Sequence, residues 1–199
     1  YSLEDLLAQQ RTSRYFWTFD DSYSDFVYLI TTSCLSALKF CFKMRIRNDD
    51  IKPANILLNK KGKVKISDFG EASKFGESQN FGTLVYRPHL CDNSKSNLKE
   101  SENDFWGLGI TLLEILFGQN PILIFNPNKS AENEFIGLIN FLTILNSDIL
   151  LRNIDLGSFG EFFQTDDLFF DFIREFIKTC LSNKTSKQMI KDLSNILIN

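Results

Sequence analysis

The sequence predicts an α+β fold that is mostly helical, built around one small β-hairpin. Three observations carry this. Apolar residues recur every three or four positions through several long stretches, the signature of amphipathic helices. Two short β-prone runs, Ile56-Leu57-Leu58 and Val64-Lys65-Ile66, flank the turn-rich Asn59-Lys60-Lys61-Gly62-Lys63, which reads as a hairpin connection. A third stretch, Asn103 to Phe117, is apolar almost all round, with Thr111 and Glu114 its only clearly polar residues after Asp104. Such a helix belongs in the middle of a domain.

Taken in chain order, Ser2 followed three residues later by Asp5 is a capping pattern, and Ser2–Gln9 reads as a short helix. A polar, aromatic-rich loop to about Ser24 follows. From Asp25 to Lys43 the positions Phe26, Ile30, Cys34, Leu38 and Cys41 keep helical spacing, with Ser22 or Ser24 as the cap. After the hairpin, Ser67 to Ser101 is rich in glycine, serine and asparagine and reads as one long structured loop, a length usually tied to function. Gly118 stands where a C-cap belongs behind the Asn103–Phe117 helix, and Pro121 follows shortly after. Ala131–Leu145, Asp167–Leu181 and Ser186–Ile198 complete the set as amphipathic helices. Residues 1–199 are expected to form a single, partial domain.

The 199 residues are enough for one hydrophobic core, and 20 phenylalanines suggest that large aromatic side chains fill it. A net charge of −3 without long runs of either sign gives no electrostatic support for nucleic acid or anionic membrane as a partner. The four cysteines are widely spaced and the chain has one histidine, which argues against zinc and for buried, reduced thiols. No stretch reads as long and apolar enough to cross a bilayer. The best candidate, Phe105 to Phe117, is too short and contains Glu114. The start at Tyr1 without a methionine suggests that sequence upstream has been cut away or was never recorded. With no targeting signal evident, a cytoplasmic protein is expected.

The chemistry lies around the hairpin. Asp50-Ile51-Lys52-Pro53-Ala54-Asn55 precedes it and Asp68-Phe69-Gly70 follows it. Gly82-Thr83-Leu84-Val85-Tyr86-Arg87-Pro88 and Asp104-Phe105-Trp106-Gly107-Leu108-Gly109 come later. Singly these are a loop, a turn, and a helix start; their joint order and spacing is the signal. In that order they resemble the catalytic loop, metal-binding triplet, activation-segment end and central buried helix of the eukaryotic protein kinases. The resemblance runs over essentially the whole chain, with the Ser/Thr or dual-specificity flavour of the MAP kinase kinases. It implies the kinase C-terminal lobe, with the N-terminal β lobe absent from these residues.

What the resemblance implies for each residue follows the needs of phosphoryl transfer, which concentrates negative charge on the group in flight. Asp50 would accept the hydrogen bond of the substrate hydroxyl as base, and Lys52 would neutralise the γ-phosphate of ATP. Asn55 and Asp68 would ligate magnesium through oxygen. Thr83 would link Asp50 to Lys52. Asp104 would be buried, accepting backbone N–H bonds from the catalytic loop, with Trp106 packed beside it. Gly70 would supply backbone freedom after Phe69. The implied cofactors are ATP and Mg2+, and the implied partner is a protein substrate, with a MAP kinase as candidate.

The departures are specific. The 49 residues before Asp50 contain no glycine, so the Gly-rich loop and strand lysine of the family have no counterpart, and these residues alone are expected to bind ATP weakly or not at all. The family's histidine and arginine before the catalytic aspartate are here Asn48 and Asp49. Asn48 cannot stack as an imidazole does, which puts packing against Phe69 in question. Asp49 reverses a charge that in many kinases receives the phosphorylated activation segment. A phosphate about 4 Å from it would be repelled by roughly 1–4 kcal/mol. Phosphorylation of Ser78 or Thr83 is therefore not expected to activate through that pocket. The closing Ala-Pro-Glu is reduced to Pro88-His89, and Lys187 stands at the partner arginine position. Asp92 is the available substitute for the missing glutamate. Three readings stay open at this point: an active kinase, a catalytically weak pseudokinase or truncated protein-binding module, and an unrelated helical protein in which the motif order is coincidence.

Overall fold

A computed structural model describes residues 1–12, 21–77, 82–87, 101–125, 167–182 and 184–198. Among them, the helices are α1 (Leu3–Thr12), α2 (Asp21–Lys43), α3 (Glu102–Phe117), α4 (Pro121–Phe125), α5 (Asp167–Cys180) and α6 (Ser186–Ile196). Four short strands, β1 (Ile46–Arg47), β2 (Ile56–Leu58), β3 (Val64–Ile66) and β4 (Ser73–Lys74), form two separate two-stranded sheets. Two 3-10 turns, Pro53–Asn55 and Leu84–Tyr86, complete the described structure. The fold is mostly helical, as expected. The expected helix Ala131–Leu145 lies outside the described residues.

The start of α1 forms through a reciprocal cap. The Asp5 N–H donates to Ser2 Oγ at 3.1 Å while the Ser2 N–H donates to Asp5 Oδ2 at 2.9 Å. The helix then runs to Thr12, beyond the expected end at Gln9, and buries Leu3 and Leu7 against the Pro53–Asn55 turn and β2.

α2 begins at Asp21, earlier than its apolar periodicity indicates. Ser22 and Ser24 therefore lie inside the helix rather than capping it. Val27, Ile30, Cys34, Leu35 and Leu38 form its buried stripe against α3, β3, β1 and α6. The expectation about membranes is corrected here: Ser22–Lys43 is long and apolar enough to cross a bilayer, with mean hydropathy 1.3 in its most apolar window. Threonine and serine disguise this run in the sequence. In the helix, Thr31 Oγ1 donates back to the Val27 carbonyl at 2.7 Å and Thr32 Oγ1 to Tyr28 at 2.9 Å, so neither hydroxyl demands water. The buried stripe gives α2 the role of a core helix.

α3 is the axis of the molecule, buried from Asp104 through Leu116. Gly118 ends it at φ +69°, the left-handed cap that glycine accepts without strain. α5 packs against it, and α6 packs against both. The starts of α3 and α6 are tied: the Ser101 N–H donates to Ser186 Oγ at 2.9 Å, and the Ser186 N–H to Glu102 Oε1 at 3.0 Å. Cys34, Cys41 and Cys180 are buried and unbridged.

β2 and β3 pair antiparallel as the expected hairpin, with Ile56 opposite Ile66 and Leu58 opposite Val64. Asn59 organises the turn, its Oδ1 accepting the N–H groups of Lys61 (3.0 Å) and Lys63 (2.9 Å). The expected Ser67–Ser101 loop is more structured than its composition indicates. β4 lies within it and pairs antiparallel with β1, Ile46 opposite Lys74 and Arg47 opposite Ser73, and the 3-10 turn Leu84–Tyr86 follows.

Candidate active site

The loop between β1 and β2 is held from below by α3. Both carboxylate oxygens of Asp104 accept backbone N–H bonds, from Asp49 at 2.8 Å and Asn48 at 3.0 Å, as expected. Burial pushes the Asp104 carboxyl up to about 7, against the pull of those two bonds. Trp106 is buried nearby in the same helix. Gly107 is needed because a Cβ there would stand 2.7 Å from the Ile51 carbonyl oxygen, directly beneath the loop.

Above this anchor the expected site residues converge. Asp50 Oδ1 accepts from both the N–H and the hydroxyl of Thr83, each at 2.9 Å. Its Oδ2 lies 2.8 Å from Lys52 Nζ and accepts from Asn55 Nδ2 at 3.0 Å. Lys52 Nζ also donates to Thr83 Oγ1 at 2.7 Å, so Thr83 links Asp50 and Lys52 as the sequence indicates. Burial works to raise the Asp50 carboxyl, but the Lys52 and Thr83 bonds outweigh it and hold it below the usual carboxylate range. Asp50 is therefore ionised at neutral pH. Gly82 permits the approach of Thr83, since a Cβ there would meet the Asp49 carbonyl oxygen at 2.2 Å.

The hairpin returns the chain to the same end. The Ser67 N–H and hydroxyl both donate to the Asn55 carbonyl, at 2.8 and 3.0 Å, which ties the chain leading into Asp68 back to Asn55. Asn55 Nδ2 is committed to Asp50, so its amide oxygen is the atom a cation would use. The exposed Asp68 carboxylate accepts the Gly70 N–H at 3.1 Å. Here the structure corrects one expectation. The left-handed backbone of the triplet belongs to Asp68, at φ +53°, not to Gly70. Glycine at 70 is favoured instead by space, because a Cβ would lie 3.1 Å from Asp68 Oδ1.

Several contacts had no clear sequence signal. Asn48 does not stack; its Nδ2 donates to the Asp68 carbonyl at 2.9 Å and its Oδ1 accepts the Asp50 N–H at 3.2 Å. One amide thus joins the two carboxylate-bearing segments, while Phe69 stays about half exposed. Asp49 is buried and paired with Arg47, Nε to Oδ2 at 3.1 Å. Glu114 on α3 receives Arg11 Nη2 at 2.8 Å and the Tyr86 hydroxyl, and burial together with Glu114 pushes that phenol far above its ordinary range. Lys187 is exposed in the first turn of α6, whereas Ser78, Pro88, His89 and Asp92 lie outside the described residues.

Comparison with known proteins bears on the same residues. The family model of the protein kinase domain matches residues 18–194. A mitogen-activated protein kinase kinase 1c of Physcomitrium patens is 32% identical over 141 residues, covering 68% of this chain and 38% of that protein. The mitogen-activated protein kinase kinase 10 of Arabidopsis thaliana is 40% identical over 95 residues, 44% of this chain and 31% of its own length. The serine/threonine-protein kinase TOS3 of Saccharomyces cerevisiae is 33% identical over 118 residues, 52% of this chain and 20% of its own length. The chain thus spans between a fifth and two fifths of the length of these relatives.

Proposed function

The chain belongs to the protein kinase domain family, and on that premise we propose that it forms the C-terminal lobe of a kinase transferring the γ-phosphate of ATP to Ser/Thr hydroxyls of proteins. The observation that carries the reading is the state of Asp50. It is ionised, fixed on one oxygen by Thr83 and on the other by Lys52 and Asn55. A carboxylate so placed can accept the hydrogen bond of an incoming hydroxyl and take its proton as the phosphoryl group departs from ATP. Lys52, already poised between Asp50 and Thr83, offers the compact positive charge that a transferring phosphoryl group requires.

Asn55 and Asp68 each carry a hard oxygen donor, the kind that suits Mg2+, an ion that completes its shell with water and substrate phosphates. Bound there, magnesium would neutralise phosphate charge; the chain's own part is to hold the two donors in place through Ser67, Asn48 and Gly70. The Gly-rich loop and strand lysine that cover ATP in this family do not occur in these 199 residues. The proposal therefore concerns the protein that carries this chain together with those parts. We further propose a MAP kinase as its substrate, by likeness to the two MAP kinase kinases, and the cytoplasm as its location.

Asn48, Asp49 and His89 motivate the rival pseudokinase reading; His89 lies outside the described residues, but Asn48 and Asp49 are both built into the contacts that hold the loop, which favours the enzyme. The test is phosphotransfer by the whole protein and by its Asp50→Asn and Asp68→Ala variants. Loss of a general base should cost about 10²–10⁴-fold in rate, and Asp68→Ala should abolish magnesium-dependent turnover. Unchanged turnover in both variants would sink the proposal.

A further inference from the structure

Arg47 is the largest side chain that the described residues bury completely. A guanidinium buried this deeply must be paired and hydrogen-bonded. The partner is Asp49, whose Oδ2 accepts from Arg47 Nε at 3.1 Å and from the Ser73 hydroxyl at 2.6 Å. Arg47 Nη2 closes the cluster, donating to Ser73 Oγ at 2.6 Å and to the Glu77 carbonyl at 3.1 Å. Arg47 and Ser73 face each other across β1 and β4. Asp49 directly precedes Asp50, and Ser73 comes soon after Asp68. The cluster therefore clasps the segment leaving the magnesium-ligand position onto the loop that carries the base.

Asp49 is the position where many kinases place an arginine that waits for a phosphate on the activation segment. Here the anion is part of the chain and the cation stands two residues earlier. We infer that Asp49 is a permanent counter-anion for Arg47, so that Arg47, Asp49 and Ser73 act as positioning residues that hold Asp50 and Asp68 in register without a phosphate on the segment. An incoming phosphate would meet a carboxylate of its own sign. The free oxygen of that carboxylate, Oδ1, is buried without a hydrogen-bond donor and so offers an anion nothing. The main chain agrees with a fixed role. Asp49 sits at φ +64°, uncommon for a residue with a side chain, and is held there by Asp104 below and the clasp above. The catalytic consequence rests on the kinase reading; the clasp itself does not.

The test uses the whole protein, dephosphorylated and checked by intact mass, with Asp49→Asn, Ser73→Ala and the hydroxyl-keeping Ser73→Thr. Amide exchange across residues 71–77 is measured alongside kcat and KM. Dephosphorylated wild type should keep its kcat within about threefold, and Asp49→Asn and Ser73→Ala should lower kcat about tenfold with KM for the protein substrate unchanged. Both variants should exchange about tenfold faster across Ser73 to Glu77, and Ser73→Thr should restore protection. A larger loss on dephosphorylation, or unaltered exchange in both Asp49→Asn and Ser73→Ala, overturns the inference. If Asp49→Asn fails to fold, the Ser73→Ala and Ser73→Thr pair decides alone. If wild type transfers no phosphate, the kinase reading falls, while the exchange comparison still decides the clasp.

Discussion

At Gly82 the main chain runs so close to the catalytic loop that a methyl group would stand 2.2 Å from the Asp49 carbonyl oxygen and 3.0 Å from Asp50 Oδ1. Neither neighbour is the loose end of a long side chain. The carbonyl belongs to a residue whose own N–H is bonded to Asp104, and the carboxylate is fixed by Thr83, Lys52 and Asn55. The strain of Gly82→Ala must therefore be relieved by moving residue 82 outward, and Thr83 goes with it. Both Thr83 bonds to Asp50 then lengthen, freeing the proposed base to rotate. Misplacement of a reacting group by about 1 Å can cost about 100-fold in rate. Gly82→Ala should thus show roughly that loss in kcat, while overpacking at a half-buried loop should cost about 1–3 kcal/mol of stability. Steady-state kinetics and a urea titration on the same preparation separate the two. A variant with normal kcat would mean that Thr83 does not orient Asp50.

Among the elements, α3 carries two glycines whose substitution should have opposite functional consequences. A Cβ on Gly107 would press on the Ile51 carbonyl at 2.7 Å, within the catalytic loop, whereas one on Gly109 would meet Leu181 Cδ2 at 2.8 Å and Cys180 Cβ at 3.0 Å, at the end of α5. Alanine gains up to about 1 kcal/mol of helix propensity at either site, against about 1–3 kcal/mol for overpacking. Cys180 Cβ is tied to its backbone and cannot retreat far, so overpacking wins. Both variants should unfold at lower urea, but only Gly107→Ala should also lose kcat, because Ile51 adjoins Asp50. Equal kcat in the two would separate the α3 contact from the loop's geometry. The same elements show what could be read beforehand. The α1 cap, the hairpin, and the buried character of α3 were legible because each rests on residues close together in sequence. β1 and β4 were not, since two-residue strands are too short to show alternation and their partners come from distant parts of the chain. The roles of Asn48 and Arg47 were hidden for a related reason. An amide can replace an imidazole as a donor without sharing its shape, and nothing local to Arg47 marks it as buried until Ser73 and Asp49 surround it. Asp50, Lys52, Asn55, Asp68 and Thr83 were identified through motif spacing, and the structure brings all five to one end of the hairpin.

For the whole molecule, the groups that hold the loop also set how stability responds to pH. Asp104 is buried against Asn48 and Asp49, with Asp49 adding like charge and Arg47 opposing it, and its carboxyl is pushed up to about 7, mainly by burial. In the unfolded chain the same group titrates near about 3.9. A folded value above the unfolded one means that the native state holds the proton more tightly. This group's contribution is then fully present below the unfolded value and is lost as pH rises through about 7. Asp50 acts in the other sense: its folded value is depressed, so its contribution is present above the ordinary aspartate range and lost only in stronger acid. Between pH 5 and 8 the two do not overlap, and stability should fall with rising pH through Asp104. In Asp104→Asn the side chain keeps a single oxygen for two N–H donors, so one is left without its acceptor, a cost of about 1–3 kcal/mol. That variant should be less stable at pH 5 and should lose the slope between pH 5 and 8. Urea midpoints at half-unit pH steps for the two proteins decide it. If the slope survives in Asp104→Asn, another group carries the proton, and the burial of Asp104 is compensated more fully by Asn48, Asp49 and Arg47 than its position indicates.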